Sequence, residues 1–201
     1  QNYYDPERIE KRDHPLNAQR IIYLYEMLNI LIVDEKVQLL PIREGIINKL
    51  KIVKNISENR DSNVKNYNVI NAGGLLNTRD LTNTGALKVS AKIVSRGSIF
   101  TNSGEILTTA LDVDTVNISN VNKITVVETA KLKGNNINNQ GTLAANNIEI
   151  TTPVLTNSGQ ILAEETITAN NTSLTNTGKL ASNDKIDLNN SSLVNRSTME
   201  S

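Results

Sequence analysis

Cysteine is absent from this chain, and with it go disulfides, thiol nucleophiles and cysteine-ligated zinc. Tryptophan is missing too, the only phenylalanine is Phe100, and Tyr3, Tyr4, Tyr23 and Tyr25 crowd near the start. A compact globular core normally draws on large rings, whereas a narrow stacked core fills with Leu, Ile and Val. Neither sign of charge is in excess: 21 basic residues balance 21 acidic ones, and no basic stripe marks a nucleic-acid partner. No apolar run approaches the ~18 residues of a membrane-crossing helix, so no transmembrane segment is expected. The start, Gln1-Asn-Tyr-Tyr-Asp-Pro6, lacks both an initiator Met and the apolar stretch of a signal peptide. That start reads as an internal piece of something longer.

What abounds is asparagine, and much of it falls in one recurring phrase. The phrase is apolar–x–Asn–x–Gly–x–apolar. It reads Leu81-Thr-Asn83-Thr-Gly85-Ala-Leu87, then Phe100-Thr-Asn102-Ser-Gly104-Glu-Ile106. Ile118-Ser-Asn120-Val-Asn122-Lys-Ile124 is a copy with Asn in the Gly place. Ile137-Asn-Asn139-Gln-Gly141-Thr-Leu143, Leu155-Thr-Asn157-Ser-Gly159-Gln-Ile161 and Leu174-Thr-Asn176-Thr-Gly178-Lys-Leu180 follow. Leu193-Val-Asn195-Arg-Ser197-Thr-Met199 closes the series with Ser for Gly. From Leu81 through Phe100, Ile118, Ile137, Leu155 and Leu174 to Leu193 the numbering steps by 19, 18, 19, 18, 19 and 19. A period near 20 is the mark of a solenoid.

Each period offers three short apolar segments, which describes a coil with three sides. The first holds Leu81, Phe100, Ile118, Ile137, Leu155, Leu174 and Leu193, with outward Thr101, Ser119, Asn138, Thr156, Thr175 and Val194 beside them. The second holds Leu87, Ile106, Ile124, Leu143, Ile161, Leu180 and Met199. A looser third segment is placed at Ile93, Leu111, Val126, Ile148, Ile167 and Ile186. Coils stacked as parallel strands would make seven of them a rod on the order of 34 Å long. In that arrangement Asn83, Asn102, Asn120, Asn139, Asn157, Asn176 and Asn195 form an inward ladder of amide hydrogen bonds, which offsets their burial. Gly85, Gly104, Gly141, Gly159 and Gly178 are read as corner residues at positive φ, and Asn122 as a residue that tolerates the same angle. Hairpin turns of an antiparallel sandwich are the rival, but two-residue hairpins want Asn and Gly adjacent. The fold expected is an all-β solenoid, a right-handed parallel β-helix with 18–19-residue coils over residues 61–201.

Residues 1–60 do not carry the repeat and read as a small mixed α/β segment of unassigned role. Asp13-His-Pro15 opens a candidate helix toward Asn29, and Ile30–Val33 and Val37–Leu40 read as short strands before Pro41. Ser57–Asn63 is the polar boundary. Val69-Ile-Asn71-Ala-Gly73-Gly-Leu75 also matches the phrase, well short of a full period before Leu81, and is taken as an atypical first coil.

The phrase resembles the filamentous-haemagglutinin repeat of bacterial two-partner secretion exoproteins, of the form Leu-x-Asn-x-Gly-x-Leu-x-Ala-x-x-x-Ile-x-Ile. Ile137 to Ile150 fits it almost throughout, as does Leu174 to Leu188, and the resemblance spans residues 69–201. It implies export through an outer-membrane secretion partner and display as a rod on the bacterial cell surface. It also implies a role as an adhesin, or as the stalk of a contact-dependent growth-inhibition toxin, with a host or bacterial surface receptor or glycan as partner. That family's N-terminal secretion domain commonly carries Asn-Pro motifs. None occurs here, so the chain resembles interior shaft.

Polysaccharide-processing enzymes and tailspikes use parallel β-helices too, and an autotransporter passenger is a further alternative. Enzymes of this shape need clustered carboxylates on one face. Asp112 with Asp114, Glu164 with Glu165 and Asp184 with Asp187 are the candidates, but they share no column and read as solvated charge. His14, the only histidine, stands next to Pro15 without identifiable partners for a metal or a triad. No phosphate loop or calcium nonapeptide pattern occurs. No catalytic residue, metal or cofactor is therefore expected. Asn-x-Ser/Thr triplets such as Asn117-Ile-Ser119, Asn171-Thr-Ser173 and Asn195-Arg-Ser197 are what an Asn-rich chain produces by coincidence, with glycosylation as the alternative.

Overall fold

The structure, a computed structural model, describes residues 63–201. The expected helix and strands of residues 1–60, their boundary with the solenoid and His14 lie outside the described residues. The described residues hold strands joined by short turns and bends and no helix, with parallel pairing throughout. The chain is thus a β-solenoid, and the antiparallel sandwich is set aside.

The first side of the coil is an eight-stranded sheet. It consists of β1 (Val64–Asn66), β4 (Leu81–Asn83), β6 (Ile99–Asn102), β8 (Asn117–Asn120), β11 (Asn136–Asn139), β13 (Val154–Asn157), β15 (Ser173–Asn176) and β18 (Ser192–Asn195). The second and third sides belong to one eleven-stranded sheet. Four long strands, β5 (Ala86–Ser95), β7 (Glu105–Asp114), β12 (Thr142–Thr151) and β14 (Gln160–Asn170), run through the bend between those sides. In the other coils the bend divides them into β2 (Val69–Ala72) and β3 (Leu76–Thr78), β9 (Lys123–Val126) and β10 (Thr129–Lys133), and β16 (Lys179–Ser182) and β17 (Lys185–Asn189). The last coil ends with β19 (Thr198–Glu200). Eight coils at the interstrand spacing make a rod of about 38 Å.

The alternation of buried and outward residues along each strand follows from the two-residue repeat of extended chain. Leu81 pairs with Phe100, Phe100 with Ile118, and so on to Leu174 with Leu193, so equivalent apolar residues stack directly on one another. Leu81, Phe100, Leu155 and Leu174 are at most 1% exposed. The single Phe therefore occupies an aliphatic column, and the core needs no aromatic cluster.

Two placements differ from the sequence expectation. The first coil does not begin at Val69. Val64 pairs with Leu81 and Asn66 with Asn83, while Ile70 pairs with Leu87 on the second side. The true first copy is Val64-Lys-Asn66-Tyr-Asn68-Val-Ile70, again with Asn in the Gly place. The better-looking match at Val69 is out of register, because pairing follows the columns and not the best local phrase. In the third column Ala130, not Val126, stacks between Leu111 and Ile148. Val126 pairs with Thr108 and is a second inward residue of the second side.

Candidate functional site: an asparagine ladder and the faces around it

The Asn column is a continuous ladder inside the corner that joins the first and second sides. Asn66 Nδ2 donates to Asn83 Oδ1 at 2.7 Å, and Asn83 donates to Asn102 at 2.8 Å. Asn102 to Asn120, Asn120 to Asn139 and Asn139 to Asn157 follow at 2.9, 2.8 and 2.7 Å. Asn157 to Asn176 and Asn176 to Asn195 complete it at 2.7 and 2.8 Å. The same Nδ2 also reaches a backbone carbonyl of the next coil, those of Ala86, Glu105, Lys123, Thr142, Gln160, Lys179 and Thr198, at 3.0–3.2 Å. Asn66 through Asn176 are buried, yet no buried side-chain polar atom among the described residues lacks a partner. Buried amides satisfied in this way avoid the cost of desolvation and rigidify the coil. Asn66 escapes notice in the sequence because Asn68 replaces the Gly; Val64 two residues before and Ile70 four after are its signals.

The glycines do something other than expected. No glycine among the described residues has positive φ. A Cβ at Gly104, Gly141, Gly159 or Gly178 would instead overlap the backbone carbonyl oxygen of the residue beneath it, that of Gly85, Asn122, Gly141 or Gly159. At Gly85 it would strike the carbonyl of Asn68. Close approach of one coil's backbone to the next excludes a side chain here. Asn122 shows the result of breaking the rule. The bond from Lys123 N to Gly104 O stretches to 3.3 Å, while equivalent bonds elsewhere are 2.7–2.9 Å. Asn122 Nδ2 reaches Ser103 O at 3.3 Å, and its φ is not positive. Among the described residues the left-handed ones are Asn171 and Asn190, φ 54° and 48°, at the corner between the third and first sides.

The carboxylate candidates are dispersed among partners. Asp112 is held by Lys92 at 2.9 Å and Arg96 at 2.7 Å, both from the preceding coil. Burial alone would raise its pKa, but the hydrogen bonds and charges of Lys92 and Arg96 prevail and hold it below the usual carboxylate range. Asp114 pairs with Lys133 at 3.0 Å, and Asp187 with Lys185 at 2.9 Å. Glu165, lowered by hydrogen bonds from Asn147 and Asn146, accepts from Asn147 Nδ2 at 2.9 Å. Glu164 is exposed, and Asp184 donates its backbone N–H to Glu165 O at 3.2 Å. Asp112 and Asp114 do share a strand face, as their alternate spacing implies, but adjacent coils present cations to them. Among the described residues no group of three or more His, Asp or Glu is placed to hold a metal ion.

Two outward features remain. The first side presents Thr82, Thr101, Ser119, Asn138, Thr156 and Thr175 in register, one per coil. An open hollow of about 590 Å³ lies at the bend of the early coils, with exposed Leu107 and Val127 on its wall. Compared with family models, with curated proteins and with solved structures, the chain matches none.

Proposed function

We propose that these coils are the shaft of a secreted or surface-displayed bacterial adhesin, which holds a functional tip away from the cell. The observation that carries this reading is the uninterrupted ladder from Asn66 to Asn195, which ties eight coils into one stiff unit. A chain of near-identical rungs with its strongest polar contacts directed along the axis suits a spacer. Asp112, Asp114 and Asp187 are each held by Lys or Arg side chains, which favours a spacer over a reactive face. In this proposal an outer-membrane partner exports the full protein, and a surface receptor or glycan meets it outside. A growth-inhibition stalk uses the same shaft with a toxin as cargo.

Antibodies against residues 63–201, applied to intact cells of the source bacterium, test the proposal. Surface labelling that disappears when the outer-membrane partner is deleted is the expected result. Antigen found only in the cytosol would overturn it.

A further inference from the structure

Charges of the third side are paired along the stack, as in Lys92 with Asp112 and Lys131 with Glu149. The second side is built differently. Down its centre runs an outward column without charge, Leu107, Thr125, Ala144, Leu162 and Ala181, each in register with the next. Leu107 is 43% exposed, and the other four are half-buried. Small and apolar side chains on successive strands give this face a level surface that sheds water at little cost.

The two margins of the column differ in charge. Before it on their strands stand Lys123, Gln160 and Lys179. Beyond it, at the bend, stand Glu128, Glu164, Glu165 and Asp184, all exposed. Lys123, Glu128 and Glu164 make no ion pair among the described residues. Lys179 pairs with Glu200 at 3.0 Å, and Glu165 accepts from Asn147 at 2.9 Å, both at the surface. An uncharged centre between a basic and an acidic margin is complementary to its own image.

We propose that this face is covered by the same face of a second copy, with the two rods parallel and the twofold axis running between them along their length. Under that symmetry each coil meets its equivalent, so Leu107, Ala144 and Leu162 oppose themselves. The basic margin of each copy lies over the acidic margin of the other. Lys123 then reaches Glu128 of the second copy, Gln160 its Glu164 and Lys179 its Asp184. Antiparallel rods centred on Ala144 would instead set Glu128 against Glu164 and Glu165, and like charges so placed are disfavoured. Lys88 and Glu200 continue the column at its two ends and would also oppose themselves, which limits the contact to the five coils between them. At the interstrand spacing those coils offer roughly 400 Å² from each copy. An area of that size holds a weak, concentration-dependent dimer.

The full chain is followed by sedimentation velocity from about 1 µM to about 1 mM. The expected result is a rise in average mass from one chain toward two and no further. Ala144→Lys puts into the column a residue type it already carries at Lys88, and should weaken association at least about tenfold with unchanged circular dichroism. Lys123→Glu should weaken it as well, and adding Glu128→Lys to that variant should restore it. Single cysteines report the orientation, since the chain has none of its own. Under mild oxidation Thr125→Cys and Ala181→Cys should each link to the same residue of a second copy, which parallel rods in register allow. Thr156→Cys, outward on the first side, should not link. A single-chain mass at every concentration would overturn the proposal, as would association untouched by Ala144→Lys. Linking of Thr156→Cys as fast as of Thr125→Cys would do the same. None of these outcomes bears on the surface labelling that tests the shaft reading.

Discussion

The corner between the first and second sides is the same in every coil, whereas the bend between the second and third sides is not. From the first-side apolar residue to the second-side one is six residues in all eight coils, from Val64 to Ile70 through Leu193 to Met199. At the bend the step is five residues from Ile106 to Leu111 and from Leu143 to Ile148, and six elsewhere. Register slips accordingly between Val89 and Lys92 and between Ala145 and Asn147. From Leu81 onward, the alternation between longer and shorter periods therefore arises wholly at the bend. The corner is filled by a buried amide and a backbone in close contact, so no residue can be added. The bend is exposed and strand-like, so an extra residue bulges outward at little cost.

That contrast breaks most directly under deletion. Removing Ser158, between Asn157 and Gly159, shifts the start of β14 by one residue and reverses which of its side chains face the core. Loss of cooperative unfolding and of amide protection in the coils around β14 is expected in hydrogen-exchange measurements. Next in size is Asn139→Leu, which removes the acceptor of Asn120 and the donor to Asn157. Two buried amides losing a partner should cost about 4 kcal/mol by denaturant titration. Gly159→Ala forces a methyl group toward Gly141 O and should cost about 3 kcal/mol by the same titration. A cost near zero would show that the coils separate freely at this corner. Deleting exposed Glu164 turns the six-residue bend of its coil into the five-residue form and should change stability by less than about 1 kcal/mol. Loss of the fold on that deletion would erase the distinction between corner and bend.

The smallest effect is electrostatic. The Asp112 carboxyl titrates lower in the folded than in the unfolded chain, so its contribution is present above the unfolded pKa. It is lost as pH falls through the folded value. Because the pair is partly exposed, Asp112→Asn should cost about 0.5 kcal/mol at neutral pH and nothing in strong acid. Thermal melts of both proteins across the acidic range check this.

The same contrast explains what the sequence displays. The corner is legible because packing allows one residue type at Asn139 and little but Gly at Gly141, so its phrase repeats. What the phrase does not show is why Gly is there. Positive φ and close approach of another backbone both select for a missing Cβ, and only the stacked neighbour at Asn122 separates them. The bend hides its register because its outward residues are interchangeable, which is how Val126 takes the place of Ala130 in a sequence alignment of columns. Val69-Ile-Asn71-Ala-Gly73 shows the converse, a complete phrase without the coil beneath it. The ion pairs of Asp112 and Asp114 are invisible because their partners, Lys92, Arg96 and Lys133, stand 16–20 residues away on neighbouring coils.

From Asn66 to Asn176 each Nδ2 donates to the rung of the higher-numbered coil, and from Asn83 to Asn195 each Oδ1 accepts from the rung of the lower. A gene segment encoding one whole period, duplicated in tandem, would enter this series with an acceptor ready on one face and a donor on the other. Both junctions would close without altering a single neighbour. Solenoid length can thus change by unequal recombination one rung at a time, whereas a fractional insert would carry the Asn out of its column and stop the ladder.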